Sequence, residues 1–184
     1  MRTYLPYSDF RKCAECFSLK RLTKQRHDAL EVLYLLSGRR SPNRGSRFMY
    51  NSPAVKVWRF CPMVLVHYGL VLCDEYEKRT GKVDPVRDRF ARQANWFRRN
   101  YGWAALVTDP PKFLESEAMQ KSHRAILARQ EPEHYAKFGF TCDPNDEKVF
   151  YWPVEEAETE FAEIASCCQD ECNCDACIEM RERG

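Results

Sequence analysis

Arg21, Lys24, Gln25, Asp28 and Glu31 recur at helical spacing within KRLTKQRHDALEVL. Steps of three and four residues set them broadly along one side of a helix. The other side carries a stripe of Leu22, Ala29, Leu33 and Leu36, widened by Leu30. A carboxylate among cations stays ionised at pH 7, where it can stabilise a cationic transition state or move a proton. The same spacing fits a solvated Lys24–Asp28 i,i+4 pair worth about a few tenths of a kcal/mol. Both readings stand on the local pattern.

Further along, His123 and Arg124 sit mid-helix in QKSHRAILARQ. Such a pair binds phosphate, or the histidine is half-buried with its hydrogen bonds satisfied; the residues alone leave both open. His27 beside Asp28 has no assigned role, and His67 and His134 read as structural. With four histidines and no H-x3-H, a histidine-based metal site is not expected. In NSPAVKVWRF, Lys56 and Arg59 fall on the first turns of a helix, with Trp58 facing inward. A helix N-terminus offers free N–H groups and positive dipole to a phosphate. Aromatic residues at 13% beside 29 Lys and Arg suit base stacking with phosphate contact, or an aromatic core. There is no G-x-S-x-G elbow, and the seven glycines form neither GxGxxG nor GxxxxGK[ST].

Five of the ten cysteines crowd one stretch, Cys167, Cys168, Cys172, Cys174 and Cys177. A Cys-x2-Cys pair chelates Zn²⁺ and four thiolates close a tetrahedral site, but no second pair follows at zinc-ribbon spacing. Cys13-x2-Cys16 offers another pair, or one buried helix face. No metal is assigned on this pattern. The N-terminus, MRTYLPYSDFRK, lacks the apolar run of a secretory signal, so reduced thiols and an intracellular location, cytoplasm or nucleus, are expected. No run of about 18 apolar residues is present, so no membrane association is expected.

The formal charge of +2 hides an asymmetry. Residues 1–130 hold 25 Lys and Arg against 12 Asp and Glu, whereas residues 131–184 hold 4 against 15. The basic part suits a polyanion, because each neutralised phosphate releases counterions. The acidic end mimics that polyanion, shields the basic face, or aids solubility.

The elements that must position these groups read as helices throughout. Ser8 or Asp9 caps a short helix to about Phe17. A second runs from Lys20 to Leu36, ended by Gly38. Residues 39–51 form a basic loop. Ser52-Pro53 opens a long helix toward Gly81 that Pro62 must kink or split. Asp84-Pro85 starts a basic helix to about Arg99. Ser116 precedes one to about Arg129, and Glu131-Pro132-Glu133 starts a short aromatic turn. Val149–Pro153 reads as a strand with no partner for a sheet. An acidic helix from Val154 leads into the cysteines. The expectation is an all-α, compact single-domain helical fold with an acidic, cysteine-rich C-terminal extension.

Taken together, MRTYLPYSDF, KRLTKQRHDALEVL, NSPAVKVWRF and KSHRAILARQEPEHY, in this order, resemble the pyrimidine-dimer DNA glycosylase family, of the endonuclease V type and its bacterial-type branch. The resemblance covers residues 1–153, a glycosylase-like helical domain, and leaves 154–184 as a tail. It implies a DNA-repair enzyme with glycosylase and AP-lyase activity, acting as a monomer on damaged double-stranded DNA without a cofactor. The N-terminal segment threads between helices. The terminal amine attacks C1′, the base leaves, and a Schiff base leads to β-elimination. On this chain the catalytic positions fall on Met1, Arg2 and Asp28. Basic positions that bind DNA fall on Arg21, Lys24, Arg26, Lys56, Arg59, His123 and Arg124. Two positions depart from the family. Residue 2 is Arg where the family exposes a small residue, so the amine belongs to Met1, unless Lys24 or another lysine substitutes. The carboxylate is Asp28 rather than Glu, one methylene shorter, with Glu31 one turn on. A non-catalytic DNA- or RNA-binding module on the same fold, and a thiol or metal protein centred on the tail, are the alternatives.

Overall fold

A computed structural model describes residues 3–38, 51–100, 109–142 and 151–167. Among them every regular element is helical, so the chain is all-α. The boundaries follow local chemistry. Asp9 caps α1 (Phe10–Cys16) through Oδ1, which accepts the Arg11 and Lys12 amides at 2.7 and 3.0 Å. Ser18 caps α2 (Leu19–Leu36) by accepting from the Arg21 amide at 3.1 Å. Beyond its end, Gly38 takes a left-handed φ of 65°.

The segment opened by Ser52-Pro53 is split rather than continuous. A single turn, α3 (Pro53–Lys56), precedes Cys61, and α4 (Pro62–Thr80) restarts with Pro62 in its first turn. A proline has no N–H to give inside a helix and is tolerated at its start. Gly81 ends α4 at φ 66°. Next comes α5 (Arg87–Asn100), later than Asp84-Pro85 suggests. Asp84 caps only a turn, accepting the Val86 amide at 3.0 Å, because its carboxylate is drawn inward to Arg26. A 3-10 helix over Lys112–Glu115 leads to α6 (Glu117–Gln130), whose Ser116 cap accepts from Met119. Then follow α7 (Pro132–Tyr135) and α8 (Val154–Cys167). The strand read over Val149–Pro153 is not formed at Tyr151–Pro153; its first two residues lie outside the described ones. None of the described helices is long and apolar enough to cross a membrane.

The core lies between α2 and α4, with α1 and α5 packed on α4. Trp58, Tyr68, Phe17, Phe90, Phe97 and Tyr135 are its largest fully buried side chains. Each contributes roughly 1.5–3 kcal/mol by leaving water. The contact of α4 with α5 is close at one point: a Cβ on Gly69 would fall 2.1 Å from Phe90 Cε1. The first turns of α8, assigned to the tail by sequence, touch the body. Ala157 is buried, and the Glu160 carboxylate accepts the Lys112 amide at 3.0 and 3.1 Å.

Candidate active site

Residues 3–5 form no helix, yet they are among the most buried in the chain. Thr3, Tyr4 and Leu5 are 0, 2 and 0% exposed. A buried extended segment must find partners for its polar groups, and four elements supply them. Trp58 Nε1, just after α3, donates to Thr3 Oγ1 at 3.0 Å. Gln25 on α2 accepts the Tyr4 amide through Oε1 at 2.6 Å. The Tyr68 hydroxyl on α4 lies 2.8 Å from the Tyr4 carbonyl oxygen and 3.2 Å from Gln25 Oε1. His123 on α6 accepts the Leu5 amide through Nδ1 at 2.9 Å.

This threading explains why α2 is buried on more than its leucine stripe. Gln25, Arg26 and Asp28 are all buried with Leu22, Ala29, Leu30 and Leu33. The side expected to face solvent is covered at Gln25 because the N-terminal segment lies on it. Asp28 follows Gln25 by three residues, so the two Cβ atoms are about 5–6 Å apart on one face. Both Asp28 oxygens accept from Lys24 Nζ, at 2.8 and 2.9 Å. The Asp28 side chain is 9% exposed while that of Lys24 is 55% exposed. A carboxylate at the rim of the core, paired with a solvent-facing lysine, thus stands one turn beyond Gln25, which holds the Tyr4 amide.

The cations expected to bind DNA divide. Lys24 is exposed, and Lys56, Arg59 and Arg124 are half-buried, with Lys56 and Arg59 flanking the Trp58 that holds Thr3. The Arg124 guanidinium lies 6.0 Å from the Tyr7 ring centre. Arg21 is turned inward: it lies over the Tyr4 ring at 5.0 Å, donates to Gln130, and reaches Glu131 at 3.8 Å. Arg26, expected among the DNA-binding cations, is not on the surface. It is 3% exposed, ion-paired with the buried Asp84, and stacked on Tyr76 at 3.5 Å. Burying that charge demands a partner charge, and Asp84 provides it. Burial works against ionisation of Asp84, but the Arg26 and Val86 hydrogen bonds prevail and hold its carboxyl below the ordinary value. His123 is likewise not a surface phosphate contact. It is 0% exposed, and burial pushes its pKa down to about 3, so it is a neutral acceptor for Leu5. Met1 and Arg2 lie outside the described residues.

The cysteine expectations resolve in part. Cys13 and Cys16 face the core and donate to the Tyr7 and Cys13 carbonyl oxygens at 3.1 and 3.2 Å. Burial pushes the Cys16 thiol up to about 12 and that of Cys13 well above its ordinary range, so neither is a ready thiolate ligand. Among the described residues no three His, Cys, Asp or Glu converge as metal ligands. Cys167 closes α8, and Cys168, Cys172, Cys174 and Cys177 lie outside the described residues.

Gln25, Tyr68 and Trp58 were not read as holding the N-terminal segment. One signal corrects the expected solvent side: at about 100° per residue Gln25 falls within about 60° of Leu22 and Ala29, at the border of the apolar stripe rather than opposite it, where a polar side chain needs a buried partner. No curated protein and no solved structure shows a significant match to the chain. Residues 1–88, from the buried Thr3–Leu5 segment through α2 and α4 to the start of α5, match the family model described as pyrimidine dimer DNA glycosylase.

Proposed function

We propose that the protein is a DNA glycosylase and AP lyase acting on damaged duplex DNA, with the chain's own α-amine as nucleophile and Asp28 as the assisting carboxylate. The observation that carries this is the fourfold anchoring of Thr3–Leu5. Thr3 is fixed by Trp58, and Tyr4 is fixed against Gln25, one turn before Asp28. The amine proposed is that of Met1, two residues before Thr3, and two residues reach about 7 Å. An amine so tethered has little conformational freedom left to lose on meeting its target.

The chemistry follows from ordinary acidities. A terminal amine has a reference pKa of about 7.7–8.0 against about 10.4 for lysine, so a useful fraction is neutral near pH 7. The neutral amine attacks C1′ of the damaged nucleotide, and the bond from C1′ to the base nitrogen breaks, the base leaving with the electron pair. Loss of a proton from nitrogen and opening of the sugar ring give the Schiff base. Removal of a C2′ proton then expels the 3′ phosphate. Asp28 takes up the proton and balances the positive charge that develops at C1′. Lys24, 55% exposed, yields the carboxylate by turning to a substrate phosphate. Pyrimidine dimers are the lesion that the family implies, and abasic sites enter at the lyase step.

The test is reductive trapping. Borohydride added to the full chain with a duplex holding a dimer or an abasic site should yield one covalent adduct, and acetylating the N-terminus should remove it. An adduct that survives acetylation assigns the nucleophile to a lysine. Salt-steep duplex binding without adduct or nick establishes instead a non-catalytic nucleic-acid-binding module.

A further inference from the structure

Among the described residues outside the candidate site, α5 carries a concentration of exposed charge. Its sequence, RDRFARQANWFRRN, buries Phe90, Gln93, Ala94 and Phe97. At 100° per residue, Arg89, Arg92, Trp96 and Arg99 fall within about an 80° sector facing away from that side. The three arginines are exposed and Trp96 is half-buried. No ion pair among the described residues engages Arg89, Arg92 or Arg99, whereas Arg87 is held by Asp74 and Glu77. Asp88 is the one carboxylate on the exposed side of the helix. Cations in the last turn favour the helix dipole, which accounts for Arg98 and Arg99. It does not account for Arg89 and Arg92, which lie nearer the start.

This face continues from the site. On α2 the solvent side presents Lys20, Lys24 and His27 in succession, and α5 packs on α2. His27 feels Arg89: after burial and Arg26, the Arg89 charge is among the causes that lower the imidazole's pKa. The basic surface beside Asp28 thus runs through His27 onto Arg89 and along α5. From Arg89 to Arg99 the helix rises about 15 Å, the length of about four base pairs at 3.4 Å each.

We propose, resting on the repair-enzyme reading of the site, that the exposed face of α5 is a second contact with duplex DNA, in which Arg89, Arg92 and Arg99 hold the sugar-phosphate backbone flanking the lesion. The occupant is identified by charge and continuity. Three separated guanidinium groups on one face, joined to the cationic rim of α2, match a regular polyanion. The contact is sequence-independent, since phosphates carry no base identity. It supplies register and affinity, while the chemistry stays at Asp28.

The experiment replaces the three arginines together, R89Q/R92Q/R99Q, in the full chain, and measures binding to lesion-containing duplex as a function of salt. Three lost phosphate contacts should make the slope of log K against log salt shallower by about 2 to 3, and weaken binding at least about tenfold at 0.1 M salt. Single-turnover rates at saturating protein should stay those of the wild type. A control triple removes equal charge at Arg11, Lys12 and Lys78; Arg11 and Lys78 line a groove between α1 and α4 to which α5 contributes nothing. Equal losses in both triples reduce the effect to net charge and overturn the proposal, as does an unchanged slope in the α5 triple. Borohydride trapping by the wild type is scored separately. If trapping fails while the α5 triple still loses its salt slope, the repair reading falls and the DNA surface stands. If trapping succeeds and the slope does not move, the α5 contact alone is wrong.

Discussion

His123→Phe isolates one of the four anchors and leaves the packing almost intact. The phenyl ring keeps the contacts of the imidazole, whose centre lies 4.7 Å from that of Trp152 and 6.1 Å from that of Tyr4. What disappears is the acceptor for the Leu5 amide, a bond of 2.9 Å between two groups shut off from water, together with the ring's hydrogen bond to the Tyr151 backbone. A buried N–H left without a partner costs about 1–3 kcal/mol at pH 7. For a chain of this size that is a drop in Tm of about 2–12 °C. The pH dependence then gives a second, independent signature. In the folded protein burial takes the His123 pKa down to about 3, against about 6.5 in the unfolded chain. Between those values the unfolded state binds a proton that the folded state refuses, so stability falls as pH is lowered from 6.5 toward 3 and is complete above 6.5. The full gap corresponds to at most about 5 kcal/mol. The phenylalanine variant lacks this component, while the carboxylates and His27 titrate in both proteins and cancel. Urea denaturation at pH 7, 5.5 and 4.5 should therefore show the variant less stable at neutral pH, with the two stabilities converging as the solution is acidified. Reductive trapping should slow by about tenfold to a hundredfold as the N-terminal segment loses its register. Parallel stability profiles would refute a buried neutral His123. An unchanged trapping rate would refute its control of the N-terminal segment.

Asp28→Asn should lower single-turnover cleavage of a lesion duplex by about 10²–10⁴. Its melting point should change little, because the Lys24 pair it breaks is half solvated; wild-type turnover would remove Asp28 from the chemistry. Asp84→Ala strips the partner from the buried Arg26 and should cost about 3–5 kcal/mol in urea titration; a loss below about 1 kcal/mol would mean that water reaches the guanidinium. Gly69→Ala drives a methyl group into Phe90 and should cost about 1–3 kcal/mol by overpacking; a variant that melts with the wild type would show that α4 and α5 separate freely. Ending the chain after residue 153 should lower Tm more than ending it after 167, because only the shorter chain loses the Ala157 and Glu160 contacts with the body; equal melting points would make all of α8 dispensable.

The helix ends were legible because they depend on neighbours in sequence. Asp9, Ser18 and Ser116 accept amides two or three residues away, Pro62 lacks a donor wherever it stands, and Gly81 adopts a left-handed turn that costs other residues more. The Lys24–Asp28 pair was legible for the same reason, being a matter of one helical turn. Sequence periodicity failed where a distant segment intervened. It sent Gln25 and Asp28 toward solvent, but Thr3–Leu5 lie across that side of α2. It left His123 between phosphate and core, and the Leu5 amide, 118 positions away, decides for the core. Arg26 reads as a surface cation from its neighbours in sequence, and Asp84, on a loop after α4, neutralises it in the fold. A charge is assigned to a face by its neighbours in space, and these are absent from a window of seven residues.

The division between neutral and charged groups around the N-terminal segment has a physical logic. Every anchor of Thr3–Leu5 is uncharged near pH 7: an indole N–H, a carboxamide, a phenol and a neutral imidazole. Burial drives the Tyr68 hydroxyl far above its ordinary pKa and the His123 ring far below, so neither ionises while the fold is intact. Charged anchors at those depths would each carry several kcal/mol of desolvation, and their fields would disturb the amine that the proposed mechanism requires to be neutral. The ionised pair, Lys24 and Asp28, stands at the rim, where solvent tempers its cost and substrate can reach it. The buried ion pair, Arg26 with Asp84, is closed on itself and presents little net charge to its surroundings. Gln25 and Asp28 occupy one helix three residues apart, so the group that fixes Tyr4 and the group to which the proposed mechanism gives the proton are held in register with one another. On the proposed mechanism a substitution at Gln25 should disturb the fold and the chemistry together, whereas one at Asp28 should disturb the chemistry with little effect on the fold.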